Sequence, residues 1–146
     1  MSSNYTMTQL LLMVKEEAQR QSIERITSAQ NVFTLLHEYS AKEKEYFLLL
    51  TLDGASHIIE QRVIHIGTLN QSLVHPREVF RPAIMDNAAG LIICHNHPSG
   101  TLEASRADIQ ITNRLKEVAK LVGIELLDHV IISKEGYYSL SEEGLL

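Results

Sequence analysis

A single cysteine, Cys94, denies the chain any internal disulfide, so its stability rests on an apolar core and a disulfide-stapled scaffold is excluded. Basic residues are the minority charge: 13 Lys and Arg stand against 18 Asp and Glu, a net charge of −5 with the histidines neutral. That is the wrong sign for a protein whose affinity comes from neutralising phosphates. Arg77, Arg81, Arg106, Arg114 and Lys116 are dispersed along the chain and read as solvated helix surface. No apolar stretch approaches the roughly 20 residues of a membrane span. The opening Met1-Ser2-Ser3-Asn4-Tyr5 lacks the basic end of a secretory signal, so a cytoplasmic location without a membrane partner is expected. Repeats and low-complexity segments are missing too, which argues against solenoids and arrays.

What remains is a chain of 146 residues that is 45% hydrophobic, enough to bury the core of one compact enzyme domain. Residues 10–18 look helical, and Thr27 or Ser28 caps a second helix with Val32, Leu35, Leu36 and Tyr39 on one face. Strand signals run over 46–52 and 58–66, joined by Asp53-Gly54, a hairpin cue. A helix is expected over 77–88, with Val79, Phe80, Ala83 and Ile84 inward and Gly90 past its end. Then follow a buried strand at 91–94, a helix over 106–122 closed by Gly123, and strands at 124–132 and 137–140. A hairpin followed by strand-helix-strand units predicts an α/β (α+β) fold, a mixed β-sheet flanked by helices.

The chemistry concentrates between residues 95 and 108, His-Asn-His-Pro-Ser-Gly-Thr-Leu-Glu-Ala-Ser-Arg-Ala-Asp. His95 and His97 are two apart, which in extended backbone puts both rings on one side. Pro98 biases His97 toward that backbone. Asp108 arrives after a loop, at the third position of a helix capped by Ser105 and beside the stripe Ile111, Leu115, Val118, Ala119 and Val122. Two imidazoles and a carboxylate leave a tetrahedral zinc one open position, the arrangement of a catalytic rather than a structural site. Each element also has an ordinary reading: Ser105 to Asp108 as a capping box, Pro98-Ser99-Gly100 as a turn. Capping and catalysis are compatible at Ser105.

Other polar residues carry less. Cys94 faces away from the side used by positions 95 and 97 and reads as a small core residue. Asp128-His129, inside an apolar strand, reads first as a buried hydrogen-bonded pair and second as Asp128 supporting a ligating histidine. His75, before Pro76, reads as a helix-start residue, while His37, His57 and His65 lack a partner pattern. Asn96 and Ser99 are placed to donate to a substrate from the loop.

His95-x-His97 followed by Ser105-x-x-Asp108 resembles the JAMM motif of the JAB/MPN metallopeptidase superfamily. His95 to Gly100, with His75-Pro76-Arg77-Glu78-Val79, Leu127-Asp128-His129 and Glu143-Gly144-Leu145-Leu146, looks like its RadC branch, historically called a DNA repair protein. The resemblance runs from about Phe33 to the end and implies a JAB/MPN-like, cytidine-deaminase-like architecture. It divides the chain into an N-terminal helical extension at 1–26 and the metallohydrolase domain at 27–146. It implies one zinc per chain on His95, His97 and Asp108, with Ser105 stabilising the oxyanion. It also requires a Glu that activates the attacking water and protonates the leaving amine. Glu45, which opens the strand run at 46–52, fits best; Glu43, Glu60 and Glu78 are rivals. Long RadC-like chains carry a helix-hairpin-helix region with a Gly-rich turn, and residues 1–44 show no such turn, so a short form is expected.

The nucleoside deaminase zinc pattern, His-x-Glu followed by Pro-Cys-x-x-Cys, does not fit, since the residue two after His95 is His97 and Cys94 stands alone. The expectation is therefore a zinc metallohydrolase cleaving an amide or isopeptide bond in a protein or peptide substrate. Its rivals are a non-catalytic MPN-like scaffold and a RadC-type protein acting on or near DNA. The net charge speaks against DNA association.

Overall fold

A computed structural model describes residues 4–68 and 74–146; residues 1–3, at the front of the expected N-terminal extension, lie outside it. The elements run α1 (Met7–Gln21), α2 (Ala29–Leu35), a 3-10 turn (His37–Ala41), β1 (Tyr46–Leu52), β2 (Ile58–Ile66), α3 (Pro76–Met85), β3 (Gly90–Asn96), α4 (Arg106–Val122), β4 (Glu125–Ser133) and β5 (Gly136–Ser139). The five strands form one sheet in the order β2-β1-β3-β4-β5. Among the described residues only β3 and β4 pair in parallel, and α4 is the crossover that a parallel pair requires. This is the expected mixed sheet of a JAB/MPN-like α+β fold.

Why the central strands read as near-continuous apolar runs follows from their position. β3 is buried at every residue and β1 at all but its first, because helices cover both faces. On one face Phe47, Leu49, Leu91 and Ile93 pack against Val79, Phe80 and Ala83 of α3 and Ile111, Leu115 and Ala119 of α4. On the other, Leu48, Leu50, Leu52, Ile92, Cys94, Val130 and Ile132 meet Ile26, Ala29, Val32 and Leu36 around α2. Cys94 belongs to this second face, and burial pushes its thiol pKa up. The edge strand β2 has no fully buried residue, and Val63 and Ile66 reach solvent.

Asp53-Gly54 opens the β1–β2 hairpin as expected: the connection spans 53–57, with Asp53 Oδ1 accepting from the amides of Ala55 and His57, 2.9 Å each. Two local expectations are corrected. α3 stops at Met85 and the left-handed residue after it is Asn87, at φ 53°; Gly90 instead opens β3, where a Cβ would lie 2.9 Å from Leu127 Cδ1. Val122 is exposed, and the buried stripe of α4 runs Asp108, Ile111, Thr112, Leu115, Ala119. That stripe carries two polar residues at its N-terminal end, over the sheet face that holds His95.

Candidate metal centre

His95 is the penultimate residue of β3, on the α4 side of the sheet with Leu91 and Ile93. His97 follows the strand, its amide still bonded to the Ile132 carbonyl at 2.9 Å. From α4, Asp108 reaches back beneath both rings. Its Oδ1 lies 3.0 Å from His95 Nε2 and its Oδ2 3.2 Å from His97 Nε2, with Asp108 and His95 each only 1% exposed. The Ser105 amide donates to Asp108 Oδ2 at 2.6 Å, while the Asp108 amide donates to Ser105 Oγ at 3.1 Å. This reciprocal capping box holds the carboxylate still. The Ser105 hydroxyl hydrogen takes no part in it.

Burial alone would raise the Asp108 carboxyl. The His95 and His97 imidazoles when they carry the intervening protons, with the Ser105 amide, outweigh it and hold the group far below the usual carboxylate range. Burial likewise lowers His97, but Asp108, the Thr101 carbonyl and Glu45 together leave it raised. His97 Nδ1 lies 2.7 Å from the Thr101 carbonyl, an acceptor that can only take a hydrogen, so Nδ1 carries it. A neutral His97 then turns a bare Nε2 toward a carboxylate oxygen. Two acceptors face one another, and a cation is needed between them, either a proton or a metal ion. Imidazole nitrogens and a carboxylate oxygen form the donor set that zinc takes.

His95, Asp108 and His129 each offer one ligand atom, all within 4.8 Å of one another, so a second ligand set with His129 in place of His97 must be weighed. His129 is fully buried, and its Nε2 lies 2.9 Å from His95 Nδ1. Burial, then the neighbouring His95, push its pKa well down. A cavity of about 410 Å³ opens over the site, lined by Glu45, His95, His97, Ser99, Ser105 and Asp108 among others; His129 is not among its lining residues. An open position for a reactant therefore exists on the His97 side, while the His129 side is closed by packing. No spacing pattern in the sequence marks His129 as a site residue; its one signal is an imidazole within an apolar strand.

Among the glutamate candidates, Glu45 lines this cavity; Glu60 and Glu78 are not among its lining residues, and Glu43 borders a neighbouring one beside His97. Asn96 is fully buried and faces away from the cavity, which rules out the expected contact with substrate. Its Oδ1 accepts from the Tyr46 amide at 2.6 Å and its Nδ2 donates to the Lys44 carbonyl at 2.9 Å. The residue between the two histidines thus clamps the backbone on both sides of Glu45. Ser99 does line the cavity. Asp128 follows its first reading as a buried hydrogen-bonded group: its carboxylate accepts from Ser139 Oγ, the Ser141 amide and the His129 amide, so it braces β5, and the histidine side chain is what reaches the site. His75 caps α3 by accepting from the Arg77 amide, as its ordinary reading had it.

The family model of the RadC-like JAB domain matches residues 26–145. Curated relatives include UPF0758 proteins of Geotalea uraniireducens, 47% identical over 127 residues that make up 86% of this chain and 56% of the relative, and of Rubrobacter xylanophilus, 44% identical over 144 residues, 94% and 63%. A UPF0758 protein of Clostridium perfringens is 51% identical over 112 residues, 77% of this chain and 49% of the relative. The chain spans about half to three-fifths of the length of these relatives.

Proposed function

Because this chain belongs to the RadC-like JAB domain family, we propose that it is a zinc-dependent hydrolase that cleaves an amide or isopeptide bond in a protein or peptide. The observation that carries this reading is the pair of Nε2 atoms facing the two oxygens of one buried carboxylate, at the floor of a cavity that Glu45 and Ser105 also line. In this reading His95, His97 and Asp108 hold the ion. Zinc there would lower the pKa of water to around 7 and polarise the carbonyl under attack.

The chain's own residues do the rest. Glu45, held by the Asn96 clamp, accepts a proton from the attacking water and returns it to the departing amine nitrogen, which leaves poorly as an anion. Such a positioned proton carrier is worth roughly 10²–10⁴ in rate. Ser105 has its lone pair engaged by the Asp108 amide, so its O–H is available to the oxygen that gains charge as the carbonyl is attacked, where it favours the transition state.

The test is hydrolysis of a fluorogenic library of amide-linked and lysine-linked peptides by zinc-loaded protein and by Glu45→Gln. The variant is expected to keep its zinc and lose activity by roughly 10²-fold or more. Activity undiminished in Glu45→Gln would remove that residue from the mechanism, and a wild type inert toward the whole library would favour a scaffold.

A further inference from the structure

Behind the ligands runs a line of buried groups whose hydrogens can be counted. Thr112 Oγ1 is 2.6 Å from the Asp108 carbonyl oxygen and 2.6 Å from His129 Nδ1. His129 Nε2 is 2.9 Å from His95 Nδ1, and His95 Nε2 is 3.0 Å from Asp108 Oδ1. A hydroxyl has one hydrogen and a carbonyl can only accept. If Thr112 gave its hydrogen to His129, two oxygen lone pairs would be left 2.6 Å apart. Both contacts are hydrogen bonds in one arrangement alone: Thr112 donates to Asp108, and His129 Nδ1 donates to Thr112. His129 is fully buried and therefore neutral, so its Nε2 is bare and accepts from His95 Nδ1. A His95 that carries its one hydrogen on Nδ1 then turns a bare Nε2 toward the Asp108 carboxylate, the form that a metal ion takes.

We infer that Thr112 and His129 are positioning residues that fix the tautomer and ring orientation of His95, so that its Nε2 lone pair is presented to the metal before the metal arrives. The inference rests on the proposed ligand set, and it assigns His129 a supporting role instead of a place among the ligands. Partners of this kind usually change metal affinity by 10- to 100-fold. Both lie on the elements that also carry the site: Thr112 is one helical turn beyond Asp108, and His129 pairs with Ile93 in the parallel ladder of β3 and β4. The Thr112 bond to the Asp108 carbonyl ties the carboxylate's own residue into the same line.

The experiment measures zinc affinity by competition with a chromophoric chelator, which needs no substrate, for wild type, Thr112→Val, Thr112→Ser and His97→Ala. Thr112→Val, matched in shape, should weaken zinc by roughly tenfold or more, Thr112→Ser should restore it to within about twofold, and His97→Ala should lose it almost entirely. Imidazole ¹⁵N shifts of zinc-loaded wild type should show the hydrogen on Nδ1 in both His95 and His129. That reading holds even if Thr112→Val does not fold. A hydrogen on His129 Nε2, a direct zinc effect on the His129 nitrogens with none on His97, or a Thr112→Val affinity equal to wild type would each overturn the inference. Absence of zinc binding by wild type would overturn the ligand set itself, whereas absence of hydrolysis with these affinities intact would count only against the proposed activity.

Discussion

Asp108 and His97 carry opposite shifts that bear on stability before any metal is bound. The carboxylate is held below its ordinary value and the imidazole above its own. A depressed carboxyl stabilises the fold at pH values above its unfolded pKa, about 3.9, and loses that contribution as pH falls through the folded value. A raised imidazole stabilises fully below about 6.5 and loses its contribution as pH rises through the folded value. Both are present together between about pH 4 and 6.5, so zinc-free protein should melt highest in that window and lower as pH rises toward 8. Differential scanning calorimetry of the zinc-free protein checks this; a melting temperature that climbs steadily from pH 5 to 8 would contradict it. At this scale residue type and spacing together single out His95, His97, Ser105 and Asp108, which the fold brings together. Thr112 and His129 escape because neither belongs to a spacing pattern of its own, and the packing of α4 on β4 is what brings them together. Asn96 was misjudged for a related reason: alternation along β3 turns it to the opposite side from its two neighbours.

Among the elements, β1, β2 and α4 lie where periodicity and capping put them, over 46–52, 58–66 and 106–122. Central strands announce themselves as apolar runs, and α4 carries Ser105 at one end and Gly123 at the other. Connections were harder to read. The five-residue loop at Asp53-Gly54 keeps a backbone turn bond, from the Ser56 amide to the Asp53 carbonyl, and adds two bonds to the Asp53 side chain, while the Asn87 turn lies behind a later glycine that the close approach of Leu127 explains better. Gly123 holds the left-handed conformation at φ 82° and feeds directly into β4. Gly123→Ala meets no steric neighbour, so its cost is conformational, roughly 1 kcal/mol. That corresponds to a fall in melting temperature of about 2–4 °C for a chain of this size. Thermal unfolding followed by circular dichroism measures it, and an unchanged midpoint would show that this residue's backbone carries no strain.

For the whole molecule, net charge and the metal count are the quantities that matter. Among the described residues no helix is long and apolar enough to cross a membrane. At a net charge of −5 few phosphates should be contacted, and log affinity for DNA falls by about 0.9 per log salt for each one. No binding to duplex, single-stranded or forked DNA tighter than about 10⁻⁶ M at physiological salt is expected. Fluorescence anisotropy at two salt concentrations tests this, and nanomolar, structure-selective binding that survives the higher salt would promote a role on DNA over hydrolysis. The central claim is that one ion sits between His95, His97 and Asp108 on the cavity side of β3. Elemental analysis of purified wild type, His97→Ala and Asp108→Ala tests it most directly. The account predicts one zinc per chain in wild type and a sharp loss in both variants, whereas full zinc retained in His97→Ala would place the ion elsewhere and contradict it.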